Sequence, residues 1–271
     1  MPRNTKRKRL HNHQKSVAET RDNNNFYLEI DHAPEKGQRA LTWPSHMLIF
    51  GSTMSGKTTL ISNILDNINL VYDFKRTPYS KGKMIVVSPL DILEVAETMS
   101  SISLWDIELY SNIELNEEFE EHLIKRFRLM SQDTVKILLL DDVLTQSSHS
   151  QIIFLNKLFA YLRHENISII ATVHSYDIKF STIIDQVGLI VAMYCLNIST
   201  VVRSILTRYL YKGTAKVWKE LRRIFISKLQ KHDYICLNFS KESLSSEIFF
   251  VTDNLFCIKS GINLSQIVRK M

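Results

Sequence analysis

The segment Gly51-Ser-Thr-Met-Ser-Gly-Lys-Thr58 constrains the fold of this chain more than any other feature, because it fits the pattern G-x-x-x-x-G-K-[ST] at every fixed position. The apolar run Met47–Phe50 comes directly before the segment and predicts a buried strand. Residues 59–66 come directly after it and carry apolar side chains at helical spacing. A turn that only connects a strand to a helix is the alternative, but a chain with seven glycines rarely matches every fixed position by chance. The sequence therefore predicts a phosphate-binding loop, the Walker A motif.

The residue types in this loop suit a nucleotide bound with Mg²⁺. Gly51 and Gly56 allow a turn tight enough for successive backbone N–H groups to point at one phosphate, and the following helix adds its positive end. Lys57 is expected to reach the β- and γ-phosphates, and the hydroxyl of Thr58 to bind Mg²⁺. We expect nucleotide contacts from the whole loop: Gly51, Ser52, Thr53, Met54, Ser55, Gly56, Lys57, Thr58 and Thr59.

Two acids follow a second apolar run, Val135–Leu140, which reads as a buried strand. Parallel strands open their binding sites at their carboxyl ends, where Asp141 and Asp142 stand. We predict that Asp141 holds Mg²⁺ through water, the Walker B role, and that Asp142 polarises or positions the attacking water. A strand that merely ends in a polar turn is the alternative.

Two more candidate residues lie further along the chain. His174 follows the apolar strand predicted over 167–173, where a polar side chain would face the γ-phosphate, although Ser175 could take this place instead. Arg163 stands near the end of the helix predicted over about 150–164, from which it could reach the nucleotide of a neighbouring subunit. The alternatives are that Arg163 complements the negative end of a helix and that His174 is an ordinary polar strand end.

Strand-like and helix-like patterns alternate along the chain, which predicts an α/β fold with a mostly parallel central sheet covered by helices on both faces. At 271 residues, with no shift of composition after residue 40, we expect one domain over 26–271 behind a disordered arm over 1–25. The predicted strands are 47–50, 83–89, 107–110, 135–140, 167–173, 189–194, 234–239 and 248–252. The predicted helices are 59–66, 91–100, 114–130, 150–164 and a pair within 198–231.

Residues 1–21 of the amino-terminal arm account for the net charge of +6, and the chain from residue 22 onward is balanced. The single acid within residues 1–21 is Glu19, and the basic residues are Arg3, Lys6, Arg7, Lys8, Arg9, Lys15 and Arg21. Such a cluster indicates a nuclear localisation signal or a DNA-binding tail, and a merely solubilising terminus is the alternative. We expect the protein in the host nucleus or the virion, with the host cytoplasm as the alternative.

The remaining composition limits other classes of protein. The three cysteines, Cys195, Cys236 and Cys257, never form C-x-x-C, which disfavours structural zinc and zinc-ribbon nucleoside kinases and favours a reducing compartment. The longest apolar run, Val187–Leu196, is too short to cross a bilayer, so we expect a soluble protein with no membrane partner.

Taken in order, the Walker motifs, Leu162-Arg-His-Glu-Asn-Ile167 and Ala171-Thr-Val-His174 resemble the FtsK–HerA superfamily, in particular its viral DNA-packaging ATPases of poxvirus and adenovirus type. The resemblance covers about residues 40–255. It implies a RecA-like ASCE P-loop ATPase that uses ATP and Mg²⁺, assembles as a homo-oligomeric ring and drives double-stranded DNA into a capsid, with capsid or packaging proteins as partners.

The resemblance also assigns roles to single residues. It implies that Arg163 acts across the subunit interface. His174 departs from the Gln or Asn usual in the third motif, and Asp142 stands where other RecA-like enzymes often have Glu. Residues 197–211 resemble a basic helix that follows the last core strand in these ATPases. Arg203 and Arg208 in this segment are expected either to contact DNA or a subunit interface or to be solvated surface residues.

Three functions remain open from the sequence. The first is a DNA-translocating ATPase, and the second is a nucleoside or nucleotide kinase with the same phosphate loop. The third is a protein whose binding to DNA or to capsid partners is switched by a nucleotide.

Overall fold

The computed structural model describes residues 41–66, 68–73, 82–89, 105–111, 115–131, 134–143, 148–174, 181–193, 234–238, 247–251 and 258–263. Several predicted features lie outside these residues: the basic arm, the helices at 91–100 and 198–231, Ser175, Cys195, Arg203, Arg208 and Cys257. They stay predictions.

Within the described residues, one mixed sheet of nine strands organises the fold, in the order β11-β10-β9-β8-β2-β7-β6-β4-β5. The six strands from β8 to β5 in this order are parallel to one another. Beyond β8, the strands β9, β10 and β11 extend the sheet with antiparallel pairing. The predicted α/β architecture with a mostly parallel sheet is therefore confirmed. The strands are β1 Leu41–Thr42, β2 His46–Phe50, β3 Tyr72–Asp73, β4 Gly82–Ser88, β5 Trp105–Ser111, β6 Val135–Leu140, β7 Ile167–Val173, β8 Val187–Met193, β9 Tyr234–Asn238, β10 Glu247–Val251 and β11 Ile258–Asn263.

The helices of the described segments are α1 Lys57–Asp66, α2 Ile68–Val71, α3 Glu117–Arg128, α4 His149–His164 and α5 Ser181–Ile184. Their starts follow from capping residues. Asn116 accepts a hydrogen bond from the backbone N–H of Phe119 at 2.9 Å and begins α3, and Ser148 forms a capping box with Gln151 and begins α4. None of these helices has the length and apolar character that crossing a membrane requires.

Apolar side chains fill both faces of the parallel sheet. On β6, Ile137 and Leu139 belong to the core cluster that contains α1, whereas Leu138 and Leu140 belong to the cluster that contains α3 and α4. Every residue of β6 and of β7 is buried. Helices on two faces explain why these strands are continuous apolar runs rather than alternating ones.

Some elements were not predicted from the sequence. The two-residue strands β1 and β3 pair in parallel in a separate small sheet and are too short to leave a pattern. β11 has the sequence Ile-Lys-Ser-Gly-Ile-Asn, whose glycine and polar residues disguise a strand that forms by pairing with β10. The predicted strands agree with the structure to within two residues at each end, and β6 and β7 have the predicted bounds.

Candidate nucleotide-binding site

The segment predicted as a phosphate loop is a tight turn between β2 and α1. The backbone N–H of Gly51 donates to the carbonyl of Val173 at 3.0 Å, which ties the start of the loop to the end of β7. Met54 and Gly56 both have left-handed backbone angles, with φ of 62° and 96°. The N–H of Leu60 donates to the carbonyl of Gly56 at 2.9 Å and starts the helical ladder of α1. The loop therefore ends directly on the positive end of a ten-residue helix.

The interior of the loop leaves no room for a larger residue at its first glycine. A Cβ on Gly51 would collide with Oγ of Ser55 and would lie 2.9 Å from Cβ of Met193. The Oγ of Ser55 is itself buried and has no hydrogen-bond partner in the described part of the chain. A buried hydroxyl without a hydrogen-bond partner destabilises a folded protein. The Ser55 hydroxyl lies in a loop whose backbone suits phosphate oxygens, which could supply the missing partner. The loop thus fits the nucleotide predicted for it.

Lys57 lies at the centre of the site, with 7% of its surface exposed. Its ammonium donates to the carbonyls of Gly51 at 2.9 Å and Ser52 at 3.3 Å, and to Nδ1 of His174 at 3.3 Å. It also lies 3.7 Å from Oδ1 of Asp142. The structure therefore brings the Walker A lysine together with two of the other predicted catalytic residues.

The two acids of the Walker B motif stand directly beyond the end of β6. The backbone N–H of Asp141 donates to the carbonyl of Val87 at 2.9 Å, which extends the pairing of β6 with β4 by one residue. Burial raises the pKa of the Asp141 carboxyl, and the charge of Asp142 adds to this effect, whereas a hydrogen bond from Thr172 opposes it. Asp142 has a φ of 54°, so its backbone turns sharply and its carboxylate faces Lys57 and His174.

His174 joins the lysine to the second acid. Its Nε2 lies 3.2 Å from Oδ2 of Asp142, and its Nδ1 faces the ammonium of Lys57. Because a lysine only donates, Nδ1 accepts, and the neutral ring then carries its hydrogen on Nε2 and donates it to Asp142. The predicted position at the end of β7 is confirmed, and the ring takes part in a chain of contacts rather than ending a strand in solvent.

A cavity of about 640 Å³ opens over these groups, which is within the usual size of small-molecule sites. Its lining includes residues 53–60 of the loop and α1 together with Asn63, Asp142, His174, Met193 and Tyr234. Thr58 therefore faces the same space as the phosphate loop. The Thr58 hydroxyl supplies the oxygen chemistry that Mg²⁺ prefers.

Arg163 is not part of this cluster. It is exposed near the end of α4, three residues before Asn166, and the residue after Asn166, Ile167, pairs with Lys136 at the start of β6. The phosphate loop lies at the other end of these strands. The seven residues of β7 separate the two edges by roughly 20 Å at about 3.3 Å per residue. Arg163 therefore cannot reach the nucleotide of its own chain.

One important side chain was not singled out from the sequence. Thr172 is fully buried in β7, and its hydroxyl contacts both Asp141 and Asp142. The available signal was its residue type, because Ser168 and Thr172 are the polar residues in the otherwise apolar run of β7 and lie on the same face. Nothing in the sequence indicates that the side chain of Thr172 contacts the residues at the end of β6.

The fold and the site define a class: the chain has the architecture of a RecA-like P-loop ATPase. Among solved structures, the DNA-packaging ATPase B204 from Sulfolobus turreted icosahedral virus is similar to this chain with a TM-score of 0.52 and 13% identity, over 77% of this chain and 97% of B204. The genome-packaging NTPase B204 from Sulfolobus turreted icosahedral virus 2, in complex with AMP, is similar with a TM-score of 0.51 and 14% identity, over 78% of this chain and 98% of that protein.

No protein-family model matches the chain, and no curated protein matches it in sequence. At 13–14% identity the likeness to the packaging ATPases is a likeness of fold. This likeness of fold agrees with the resemblance drawn from the motifs.

Proposed function

We propose that this protein is an ATP-hydrolysing motor that translocates double-stranded DNA and packages a viral genome into a capsid. The observation that carries the proposal is the meeting of Lys57, Asp141, Asp142 and His174 at one end of the parallel sheet. It is supported by the fold shared with the two packaging ATPases.

Each side chain has a place in the hydrolysis of ATP. Lys57 donates to the β- and γ-phosphates, and the backbone N–H groups of residues 51–59 surround them. Thr58 and Asp141 would hold Mg²⁺, which would neutralise phosphate charge. Asp142 accepts a hydrogen bond from the attacking water and holds it in line with the γ-phosphate. His174, which contacts both Lys57 and Asp142, senses the γ-phosphate.

The position of Arg163 supports a ring. The exposed guanidinium of Arg163 lies too far from the nucleotide site of its own chain to contact it, but it is available to a neighbouring subunit. Hydrolysis at such an interface would depend on two chains, and the resulting movements would act on DNA in the centre of the ring. Capsid or other packaging proteins complete the proposed set of partners.

The basic arm belongs to the proposal as well. Its charge suits the DNA backbone or nuclear import, and this supports the host nucleus or the virion as the proposed location, with the host cytoplasm as the alternative. DNA binding by the chain with and without residues 1–21 should differ in its salt dependence, and an equal salt slope would leave the arm without a DNA-binding role.

The decisive experiment measures ATP hydrolysis by the purified chain with Mg²⁺, in the presence and absence of linear double-stranded DNA. We expect hydrolysis that DNA stimulates, no transfer of labelled phosphate to nucleosides or nucleotides, and a Lys57→Ala control that is inactive in both conditions. Phosphate transfer would instead establish a kinase. DNA or capsid-protein binding that depends on nucleotide without any turnover would establish a nucleotide-switched binding protein.

A further inference from the structure

The register of β6 and β7 places one buried hydroxyl between the two acids. Leu140, the last residue of β6, pairs with Ala171 of β7. The next residues along the two strands are Asp141 and Thr172, so Thr172 lies beside the point where β6 ends and the chain turns. Its side chain is fully buried and cannot exchange these contacts for water.

The hydroxyl of Thr172 uses its hydrogen-bonding capacity on the acids. Its Oγ1 donates to Oδ1 of Asp141 at 2.8 Å and accepts from the backbone N–H of Asp142 at 2.8 Å. The longer contact, 3.2 Å to Oδ1 of Asp142, competes for the same single hydrogen. The shorter contact therefore takes the hydrogen, while a lone pair of the oxygen holds the backbone of Asp142.

These two bonds act on the two predicted roles separately. The bond to Asp141 fixes the rotation of the carboxylate, whose second oxygen would then be available to water around Mg²⁺. The bond from the N–H of Asp142 supports a left-handed backbone conformation, with φ of 54°, which is sparsely populated by residues other than glycine. Without that conformation the carboxylate of Asp142 would not face Lys57 and His174.

An ordinary satisfied core hydroxyl is the competing explanation, and β7 itself supplies the comparison. Ser168 lies on the same face of β7, is also fully buried, and accepts a hydrogen bond from the backbone N–H of Ser45 at 3.1 Å. It lies near the opposite edge of the sheet, far from the acids. Ser168 shows what a purely structural hydroxyl in this strand does, and Thr172 differs in having both of its short contacts on the Walker B pair.

We propose that Thr172 is a positioning residue of the nucleotide site, whose single hydroxyl holds Asp141 for the metal and Asp142 for the attacking water. This inference rests on the proposed ATPase function and deepens it. It predicts that both metal dependence and turnover respond to one hydroxyl group that touches neither nucleotide nor water.

The test compares Thr172→Val, which keeps the shape but removes the hydroxyl, with Thr172→Ser, which keeps the hydroxyl. We expect Thr172→Val to lower kcat by about 10- to 100-fold and to raise the Mg²⁺ concentration for half-maximal activity about tenfold, the size usual for groups that orient metal ligands. KM for ATP should rise by no more than about tenfold, because only the contribution of the metal to binding is weakened while Lys57 and the loop are untouched. Thr172→Ser should stay within about threefold of the wild type in every measurement.

Ser168→Ala is the matched control, since it removes a buried hydroxyl from the same face of the same strand. It should lower the melting temperature as Thr172→Val does, while kcat stays within about threefold of the wild type. A kcat for Thr172→Val within that range would overturn the proposal, and so would an equal loss of kcat in Ser168→Ala. If Thr172→Val does not fold, Thr172→Ala against Thr172→Ser isolates the hydroxyl, and the same thresholds apply.

A binding measurement separates this inference from the proposed function. Fluorescent ADP should bind Thr172→Val and the wild type equally in EDTA, and Mg²⁺ should strengthen binding about tenfold less in the variant. A wild type that binds ADP with Mg²⁺ but never hydrolyses ATP would refute the proposed function while leaving this binding test valid. Equal strengthening by Mg²⁺ in both proteins would refute the role of Thr172 in holding Asp141.

Discussion

Nζ of Lys57 and Oδ1 of Asp142 lie 3.7 Å apart, yet the geometry indicates different roles for the two residues. Lys57 is buried within the loop and directs its charge at the place of the phosphates, so its contribution is mainly to binding. Asp142 lies beyond the loop, lines the cavity and is held by His174, so its carboxylate faces the space that a water would occupy.

We therefore predict that Lys57→Ala and Asp142→Asn are both nearly inactive as ATPases but differ in nucleotide binding. Lys57→Ala should bind ATP weakly, because it loses the charge that holds the phosphates. Asp142→Asn should bind ATP as the wild type does and fail at hydrolysis, because it loses only the carboxylate that faces the water. Equilibrium binding and steady-state turnover measure the two effects.

Asp66→Asn is a suitable control, because Asp66 is an exposed acid at the end of α1 and should tolerate the same change. Turnover of Asp142→Asn within about threefold of the wild type would make the catalytic assignment wrong.

At the scale of elements, the buried imidazole of His46 in β2 forms hydrogen bonds to both α4 and β7. His46 accepts a hydrogen bond from the N–H of Ile169 at 3.0 Å on Nδ1 and donates from Nε2 to the carbonyl of Phe159 at 2.7 Å. Burial, with a smaller contribution from the charge of Arg163, lowers the pKa of His46 to about 4, although the bond to Phe159 opposes the shift. The folded chain therefore needs this ring neutral.

This arrangement predicts a loss of stability in mild acid. The unfolded chain protonates His46 below its ordinary pKa of about 6.5, whereas the folded chain resists protonation down to a pKa of about 4. The stabilising contribution is complete above the unfolded value and is lost as the pH falls toward the folded value. Between pH 7 and pH 5 this should cost about 2 kcal/mol of the free energy of unfolding.

Urea unfolding at a series of pH values measures the effect. His46→Gln, which cannot titrate, should be less stable at pH 7 but should lose less stability between pH 7 and pH 5 than the wild type. His164→Gln, which changes an exposed histidine at the end of α4, should keep the dependence of the wild type. Equal slopes for the wild type and His46→Gln would contradict this account.

The sequence predicted the elements whose pattern is local and missed those that depend on a partner. β6 and β7 have the bounds expected, because both are continuous apolar runs that end at polar residues. The start of α3 was expected at 114 but lies at Glu117, because Asn116 rather than an earlier residue accepts the capping bond. β11 forms by pairing with β10, and such pairing leaves little trace in a strand of mixed polarity.

The same distinction holds within the site. The Walker residues are specified by spacing along the chain, so Lys57, Thr58, Asp141 and Asp142 could be assigned from the motifs. The role of Thr172 depends on the register between two strands, which is set by packing and has no sequence motif.

At the scale of the whole molecule, α4 crosses the protein from one edge of the sheet to the other. It ends at His164, one residue after Arg163, and its 16 residues are about 24 Å long at 1.5 Å per residue. Each chain therefore carries its candidate nucleotide site at one end of the parallel strands and the exposed guanidinium of Arg163 at the other, which is the geometry that the proposed ring requires.

We predict that Arg163→Ala alone binds ATP but does not hydrolyse it, because a trans-acting arginine in related phosphoryl-transfer systems contributes about 10³-fold or more in rate. Mixing Arg163→Ala with Lys57→Ala subunits should restore part of the activity. One interface in the mixture combines the intact phosphate loop of the first variant with the intact Arg163 of the second. Steady-state turnover of the mixed subunits, compared with each alone, measures this rescue.

A chain that carries both substitutions is the control, because neither single variant can form a complete interface with it. A mixture whose activity never exceeds the sum of its parts, with co-assembly demonstrated, would remove the main support for a ring motor.

The contacts of Lys57 also determine what the arrival of a nucleotide does. The Lys57 ammonium donates to two loop carbonyls and to His174. Binding of a phosphate would therefore be an exchange of partners, and the measured affinity would be the difference between the new contacts and those given up. We expect the same exchange to take a hydrogen-bond donor away from His174 and, through the contact of that ring with Asp142, to alter the environment of the second acid.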